Sequence, residues 1–223
     1  METVYAFLEG NRTLMSGVVA LSSIFNVVGW CIGLVVLLFS WNRLKLVSLG
    51  PMGFRYDAAV AETAGAAREW NAKLGKGTVD IPRVRETIRR AFEAETSANL
   101  TGKNILWVDD NPPNNNLAAR ALIRLGVNLV TALSTEEAME RIAHHRFDMI
   151  ISDMGRGSNM HAGYDLFELV RRTDGKVPFA IFSGEDRAEF RKEAARRGAQ
   201  LSTNDILELM DFIITRLGAD ARS

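Results

Sequence analysis

The chain is short of the residues that build metal and disulfide frameworks. It has one cysteine, Cys31, and three histidines in 223 residues. A single cysteine closes no intrachain disulfide, and the set is too small for a zinc site. Cys31 lies in an apolar run and reads as a small apolar filler. Net charge is lacking too, because 27 Lys and Arg balance 27 Asp and Glu. A general nucleic-acid binder needs a basic face, so no nucleic-acid partner is expected.

Charge is missing altogether from positions 13–42, between Arg12 and Arg43. That run holds fifteen Leu, Ile, Val and Phe between Leu14 and Phe39. About 20 apolar residues suffice for a helix to cross a bilayer, so a transmembrane helix is expected over 13–42 despite Asn26. A cleaved signal peptide is not expected, since Glu2 and Glu9 replace a basic leader and no small-x-small site follows the apolar core. Arg43, Lys45 and Arg55 follow the span while Arg12 alone precedes it. The positive-inside tendency then puts residues 1–12 outside as a short tail and the carboxyl side in the cytoplasm, at a bacterial inner membrane. Asn26, Gly29 and Gly33 fall near one helical face, which permits a homodimer through the span.

Residues 43–100 read as a helical juxtamembrane linker. Gly50, Pro51 and Gly53 break regular structure over 48–56, and an Ala-rich helix is expected over 57–74. Pro82 suits the first turn of a second helix running to about Asn99, with Val84, Ile88 and Phe92 in one apolar stripe that is expected to bury against the following domain, the alternative being pairing with another copy. No chemistry is read in this stretch.

From Lys103 onward strand and helix patterns alternate. Strands are expected up to Val108 and over 127–133, 147–152, 177–182 and 200–202. Helices are expected over 114–125, from Ser134 to about His145, and over 163–172, 186–197 and 204–217. Ser134 and Glu137 have the spacing of a capping box, and Gly126 is a helix stop. Five such units imply an α/β fold with a five-stranded parallel, doubly wound sheet. Three strands end in chemistry: the first in Asp109-Asp110, the third in Asp153, the fourth in Ser183. In open α/β sheets the carboxyl edge is where ligands bind.

These residues resemble the receiver domain of two-component signalling, a flavodoxin-like fold. The resemblance covers 103–217, within a receiver-like domain expected over 101–223, and rests on Asp109-Asp110, on Asp153 44 residues later, and on Ser183-Gly184 a further 30 residues on. Gly198-Ala199 before the last strand also fits the pattern. The resemblance implies that Asp109, Asp110, Asp153 and the Met154 carbonyl hold Mg²⁺. It also implies that Asp153 accepts a phosphoryl group and that Ser183 bonds and reports it. Mg²⁺ prefers carboxylate oxygen, and a carboxylate is a competent phosphoryl acceptor.

Two departures qualify the likeness. Receivers carry a Lys at the end of the fifth strand, preceded by an aromatic residue. Here Ser202-Thr203-Asn204-Asp205 stands there, and no Lys follows Lys192. The loop after Asp153 has no proline and reaches a glycine, Gly163, only after ten residues. Arg156 in that loop is a candidate for the missing cation; His161 beside it reads as a surface residue. The expected function is that of a non-enzymatic, membrane-anchored signalling module. It would meet a histidine kinase or another signalling protein and act through protein contact. The alternative is a pseudo-receiver that docks without phosphorylation. Phosphatases of the haloacid dehalogenase type need Asp-x-Asp, which Asp109-Asp110-Asn111 does not supply, and no glutamate motif of TIR-type hydrolases is evident.

Overall fold

The structure, a computed structural model, describes residues 51–173, 175–184 and 188–219. The expected tail and transmembrane helix at 1–42 lie outside the described residues. Among the described residues no helix is long and apolar enough to cross a membrane.

Five strands form one parallel sheet: β1 (Asn104–Val108), β2 (Asn128–Ala132), β3 (Met149–Ser152), β4 (Phe179–Phe182) and β5 (Leu201–Thr203). Their order is β2-β1-β3-β4-β5, the doubly wound, flavodoxin-like arrangement expected from the alternating pattern. β1, β3 and β4 read as near-continuous apolar runs because both of their faces are covered. On one face Leu106, Val108, Ile150, Phe179 and Ile181 pack against α5 (Thr135–His144), α6 (Ala162–Thr173) and α7 (Ala188–Arg197). The residues between them, Ile105, Trp107, Met149, Ile151, Ala180 and Phe182, point the other way. They meet α4 (Asn116–Arg124) and α8 (Ile206–Gly218), with a short 3₁₀ turn, Pro112–Asn115, leading into α4.

This second face is also covered by residues expected to be a linker. α1 (Pro51–Lys73) from Phe54 onward, α2 (Ile81–Ala91) and α3 (Ala94–Leu100) belong to the same compact unit as the sheet. α1 contributes Ala59, Ala64, Ala66 and Ala67 to the core. Small side chains let it sit close: a Cβ on Gly65 would lie 2.9 Å from Leu117 Cδ1. Trp70 packs edge-on against Phe182 at 4.7 Å between centroids, and Phe182 meets Trp107 in the same way at 6.0 Å. Arg55 donates through Nη2 to the Arg124 carbonyl at 2.9 Å, satisfying an end carbonyl of α4. Glu62 is buried and accepts from Arg120.

Three boundaries differ from expectation. α1 begins at Pro51 and runs through Gly53, where a break was expected; proline needs no N–H partner in a first turn. The helix expected over 82–99 is two helices. Asp80 caps α2 by accepting from Arg83 N at 3.2 Å, α2 ends at Ala91, and Phe92 turns aside to pack edge-on against Tyr56. The break lets both halves bond α8: Thr87 Oγ1 donates to Asp211 at 2.8 Å, Arg90 pairs with the same carboxylate, and Asn99 Nδ2 donates to the Gly218 carbonyl at 3.0 Å. Asn114 and Asn115 fall in the 3₁₀ turn rather than in the following helix. Elsewhere the signals hold. Ser134 Oγ accepts from Glu137 N, Gly126 adopts φ +95 at the end of α4, and Asp205 caps α8 by accepting from Leu207 N.

Ile88 is fully buried between α2 and the rest of this face. Ile88→Ala is expected to lower stability by about 2–4 kcal/mol through lost burial and the cavity left behind. Urea unfolding of the two proteins, read by circular dichroism, measures it; a loss below about 0.5 kcal/mol would mean that α2 is not part of the folding unit.

Candidate functional site

Each chemical residue sits one step past the end of its strand and is held by one more rung of the ladder. Asp109 N donates to the Ala132 carbonyl at 2.9 Å, Asp153 N to the Val108 carbonyl at 2.9 Å, and Ser183 N to the Thr203 carbonyl at 3.1 Å. Three backbones are thereby aligned at the carboxyl edge, where side chains of neighbouring strands converge. Asp109, Asp110 and Asp153 each bring a carboxylate oxygen within 4.8 Å of the others. Asp109 is buried, Asp153 half-buried and Asp110 exposed.

Three like charges so close require donors, and the surroundings provide them. Asp109 accepts from Asn111 N at 2.6 Å and from Asn115 Nδ2 at 2.5 Å. Asp110 accepts from Gly157 N at 2.7 Å, and Asp153 from Met154 N at 2.7 Å and from the Ser183 side chain. Burial still outweighs these bonds. It raises the Asp109 carboxyl above its usual range, with the neighbouring Asp110 charge adding to the effect. Burial, then the Asp109 charge, pushes Asp153 up to about 6.

Arg156 lies beneath this cluster. Nη1 donates to Ser152 Oγ at 2.5 Å and to the Asp153 carbonyl at 2.8 Å; Nη2 donates to Thr135 Oγ1 at 2.8 Å and to the Ala162 carbonyl at 2.9 Å. Burial lowers its pKa, and the charges of Asp153, Asp110 and Asp109 oppose that shift. Its field therefore reaches the carboxylates, while both terminal nitrogens are engaged by neutral oxygens of the loop and its neighbours. The extra length after Asp153 becomes a tight turn: Arg156 and Asn159 exchange both backbone bonds at 3.0 Å, and Gly157 takes φ +56. The Met154 carbonyl accepts from Gly163 N at 2.9 Å. Gly163 must be glycine, since a Cβ there would lie 2.8 Å from the Asp153 carbonyl oxygen and 3.1 Å from Met154 Cα.

A cavity of about 340 Å³ opens onto Asp110, Asp153, Met154 and Ser183, with Gly155, Gly157, Met160 and Phe190 on its walls. Leu74, beyond the end of α1, closes one side. A larger cavity of about 560 Å³ lies at the opposite, amino edge of the strands, around Asn104 and Asp148. The carboxylate cluster lies at the other edge. The structure brings Asp109, Asp110, Asp153, Met154, Ser183 and Arg156 together at one place. His161 is exposed and stacks on Tyr164 at 6.1 Å. Asn115, which fixes Asp109, and Trp70 and Leu74, which flank Gly184, went unread in the sequence. An asparagine in a turn gives no sign of which acid it will meet, and α1 shows only helical composition.

A parallel sheet with an acid pair after β1, an acid after β3 and a hydroxyl after β4 defines a receiver-type α/β domain. Residues 105–202 match the family model for the response regulator receiver domain. Over 91 residues, 40% of the chain, the sequence is 37% identical to the probable histidine kinase 5 of Oryza sativa subsp. japonica. Over 96 residues it is 31% identical to the nitrogen assimilation regulatory protein NtrX of Azorhizobium caulinodans. The chain spans only 8% and 21% of the lengths of those two curated relatives. Among solved structures, the non-phosphorylated HemR receiver domain from Leptospira biflexa is similar over 54% of this chain and 98% of its own, at 20% identity and a TM-score of 0.47. Residues 105–202 are thus a receiver domain of two-component signalling.

The raised Asp153 carboxyl has a signed consequence. Its folded value, about 6, exceeds the unfolded value near 4. Between those pH values the folded chain keeps a proton that the unfolded chain has lost, so this contribution to stability is complete below about pH 4 and is lost as pH rises through 6. Asp153→Asn is expected to stabilise the protein by on the order of 1–2 kcal/mol at about pH 7.5, with the margin gone at about pH 4. Urea midpoints at the two pH values test this, and an equal margin at both would contradict it. Gly163→Ala is expected to cost about 1–3 kcal/mol at either pH, because the backbone it meets must move; an unchanged midpoint would remove the constraint.

Proposed function

We propose that this chain is a receiver-type signalling module in which Asp153 accepts a phosphoryl group at a Mg²⁺ site, and that it acts by protein contact without turnover of its own. The observation that carries this reading is the clustering of Asp109, Asp110 and Asp153 within 4.8 Å of one another, beside a cavity that Asp110, Asp153 and Ser183 line. Three hard carboxylate donors fit Mg²⁺, which leaves much of its shell to water and phosphate. Bound there, Mg²⁺ would supply positive charge that offsets the repulsion between a carboxylate nucleophile and a phosphoryl group. Asp109 and Asp110 would hold the ion together with Asp153. The Met154 carbonyl would contribute its remaining lone pair.

The residues of the chain do the rest. Near neutral pH Asp153 is largely ionised and therefore nucleophilic. The Met154 N–H and the Ser183 hydroxyl orient its carboxylate. One carboxylate oxygen forms the new P–O bond as the bond from phosphorus to the donor's leaving group breaks, and Ser183 is placed to turn its hydroxyl toward a phosphoryl oxygen. A histidine kinase is the natural donor for a receiver, and a signalling protein is the reader.

The charge-free run at 13–42 supports a membrane anchor with the receiver domain on the cytoplasmic side of a bacterial inner membrane, and Gly29 and Gly33 support a homodimer through it. A second reading, docking without phosphorylation, is favoured by one feature. The end of β5 carries Thr203, whose hydroxyl bonds Glu208, where the family resemblance calls for a lysine nearby.

The full-length chain incubated with acetyl phosphate and Mg²⁺ is expected to gain the mass of one phosphoryl group, labile to hydroxylamine, and to gain none as Asp153→Ala or with excess EDTA. Unlabelled wild-type protein at millimolar donor would leave docking as the function. In cell fractionation the chain is expected in the membrane pellet after alkaline carbonate; release by carbonate or by salt would overturn the anchor.

A further inference from the structure

We propose that Lys76, carried on the turn after α1, is the cation that completes the phosphate end of the Asp153 site; this rests on Asp153 being the acceptor. A phosphoryl group on Asp153 would bring nearly two negative charges beside Asp109 and Asp110. Arg156 contributes its field from below, but its terminal nitrogens are committed to Ser152, Thr135 and two backbone carbonyls.

Another cation lies just past the end of β5. Ser183 N is bonded to the Thr203 carbonyl, so Asn204 is the next residue along from the hydroxyl that faces Asp153. The ammonium of Lys76 donates to Asn204 Oδ1 at 2.5 Å and approaches the Asn204 carbonyl at 3.4 Å. It therefore stands at the end of β5, beside the Ser183 end of the cavity. Leu74, two residues earlier, lines that cavity, and Leu74 Cδ2 and Trp70 come within 3.9 and 3.5 Å of where a Gly184 Cβ would stand.

The turn is built to hold its base still. Lys76 N donates to the Asn71 carbonyl at 2.8 Å, Asn71 Nδ2 donates to the Gly77 carbonyl at 2.9 Å, and Gly75 takes φ +63. The side chain itself is exposed and long. Its hydrogen-bond partner, Asn204, is a neutral amide, so exchanging it for a phosphoryl oxygen breaks no ion pair and gains a charge-assisted bond. Lys73 differs: its ammonium bonds Asn114 Oδ1 in the turn after β1 at 3.1 Å and lies over the Trp70 ring.

The test titrates beryllofluoride, a phosphoryl mimic, into the full-length chain saturated with Mg²⁺, with tryptophan fluorescence as the readout. Lys76→Ala is expected to weaken beryllofluoride binding roughly tenfold or more. Mg²⁺ affinity measured alone should stay at the wild-type value, Lys76→Arg should restore most of the binding, and Lys73→Ala should match wild type. Wild-type binding by Lys76→Ala overturns the proposal. So does an equal loss in Lys73→Ala, or a parallel loss of Mg²⁺ affinity. If the wild-type chain binds neither beryllofluoride nor phosphoryl group at Asp153, the acceptor reading fails and this one falls with it.

Discussion

Everything at the working edge follows from crowding three carboxylates within a few ångströms in a half-dry place. Such crowding raises proton affinity and stores repulsion that a cation can relieve. The fold tolerates it because Asp109 and Asp153 are anchored by backbone rungs and each acid is met by an N–H or amide donor: Asn111 and Asn115 for Asp109, Gly157 for Asp110, Met154 for Asp153. The long loop after β3 exists within that constraint. Arg156 ties it down from beneath, and the turn at Gly157 presents an N–H to Asp110.

The sheet and its site were legible in the sequence because they rest on short-range signals. β1, β3 and β4 are apolar on both faces and end abruptly in Asp or Ser, which is a pattern that burial alone produces. Ser134, Gly126 and Asp205 announce helix ends by local chemistry. What was not legible depends on partners distant in the chain. Phe92-Glu93-Ala94 contains no helix breaker, yet the helix breaks there so that both halves can bond α8. Gly53 looked like punctuation and lies inside α1. Arg156 was read as a candidate phosphate cation from its place in the loop; which oxygens it would meet depended on Thr135 and Ala162, and neither is visible from its own neighbourhood.

The helices before the sheet change what the receiver segment is physically. Residues 105–202 carry the family pattern, but the face that includes Trp107 and Phe182 is closed by Trp70 and the alanines of α1. The same helix ends at the cavity mouth, where Leu74 forms part of the wall. Core and site are therefore joined through one element that the family pattern does not include. A side chain added at Gly184 would be felt first by Trp70 and Leu74, and Trp70 also holds α1 on the sheet.

The bonds that fasten α2 and α3 to α8 join residues 119 to 124 positions apart, Thr87 to Asp211 and Asn99 to Gly218 among them. Chain synthesis runs from the amino end, so these helices leave the ribosome well before the helix that receives them exists. Val84, Ile88 and Leu100 then wait in water, with their final neighbours on α8 still untranslated. Contacts of such long range slow folding and lengthen the time that apolar surface stands open. For this chain the completion of α8 is the event that allows the amino-terminal helices to settle.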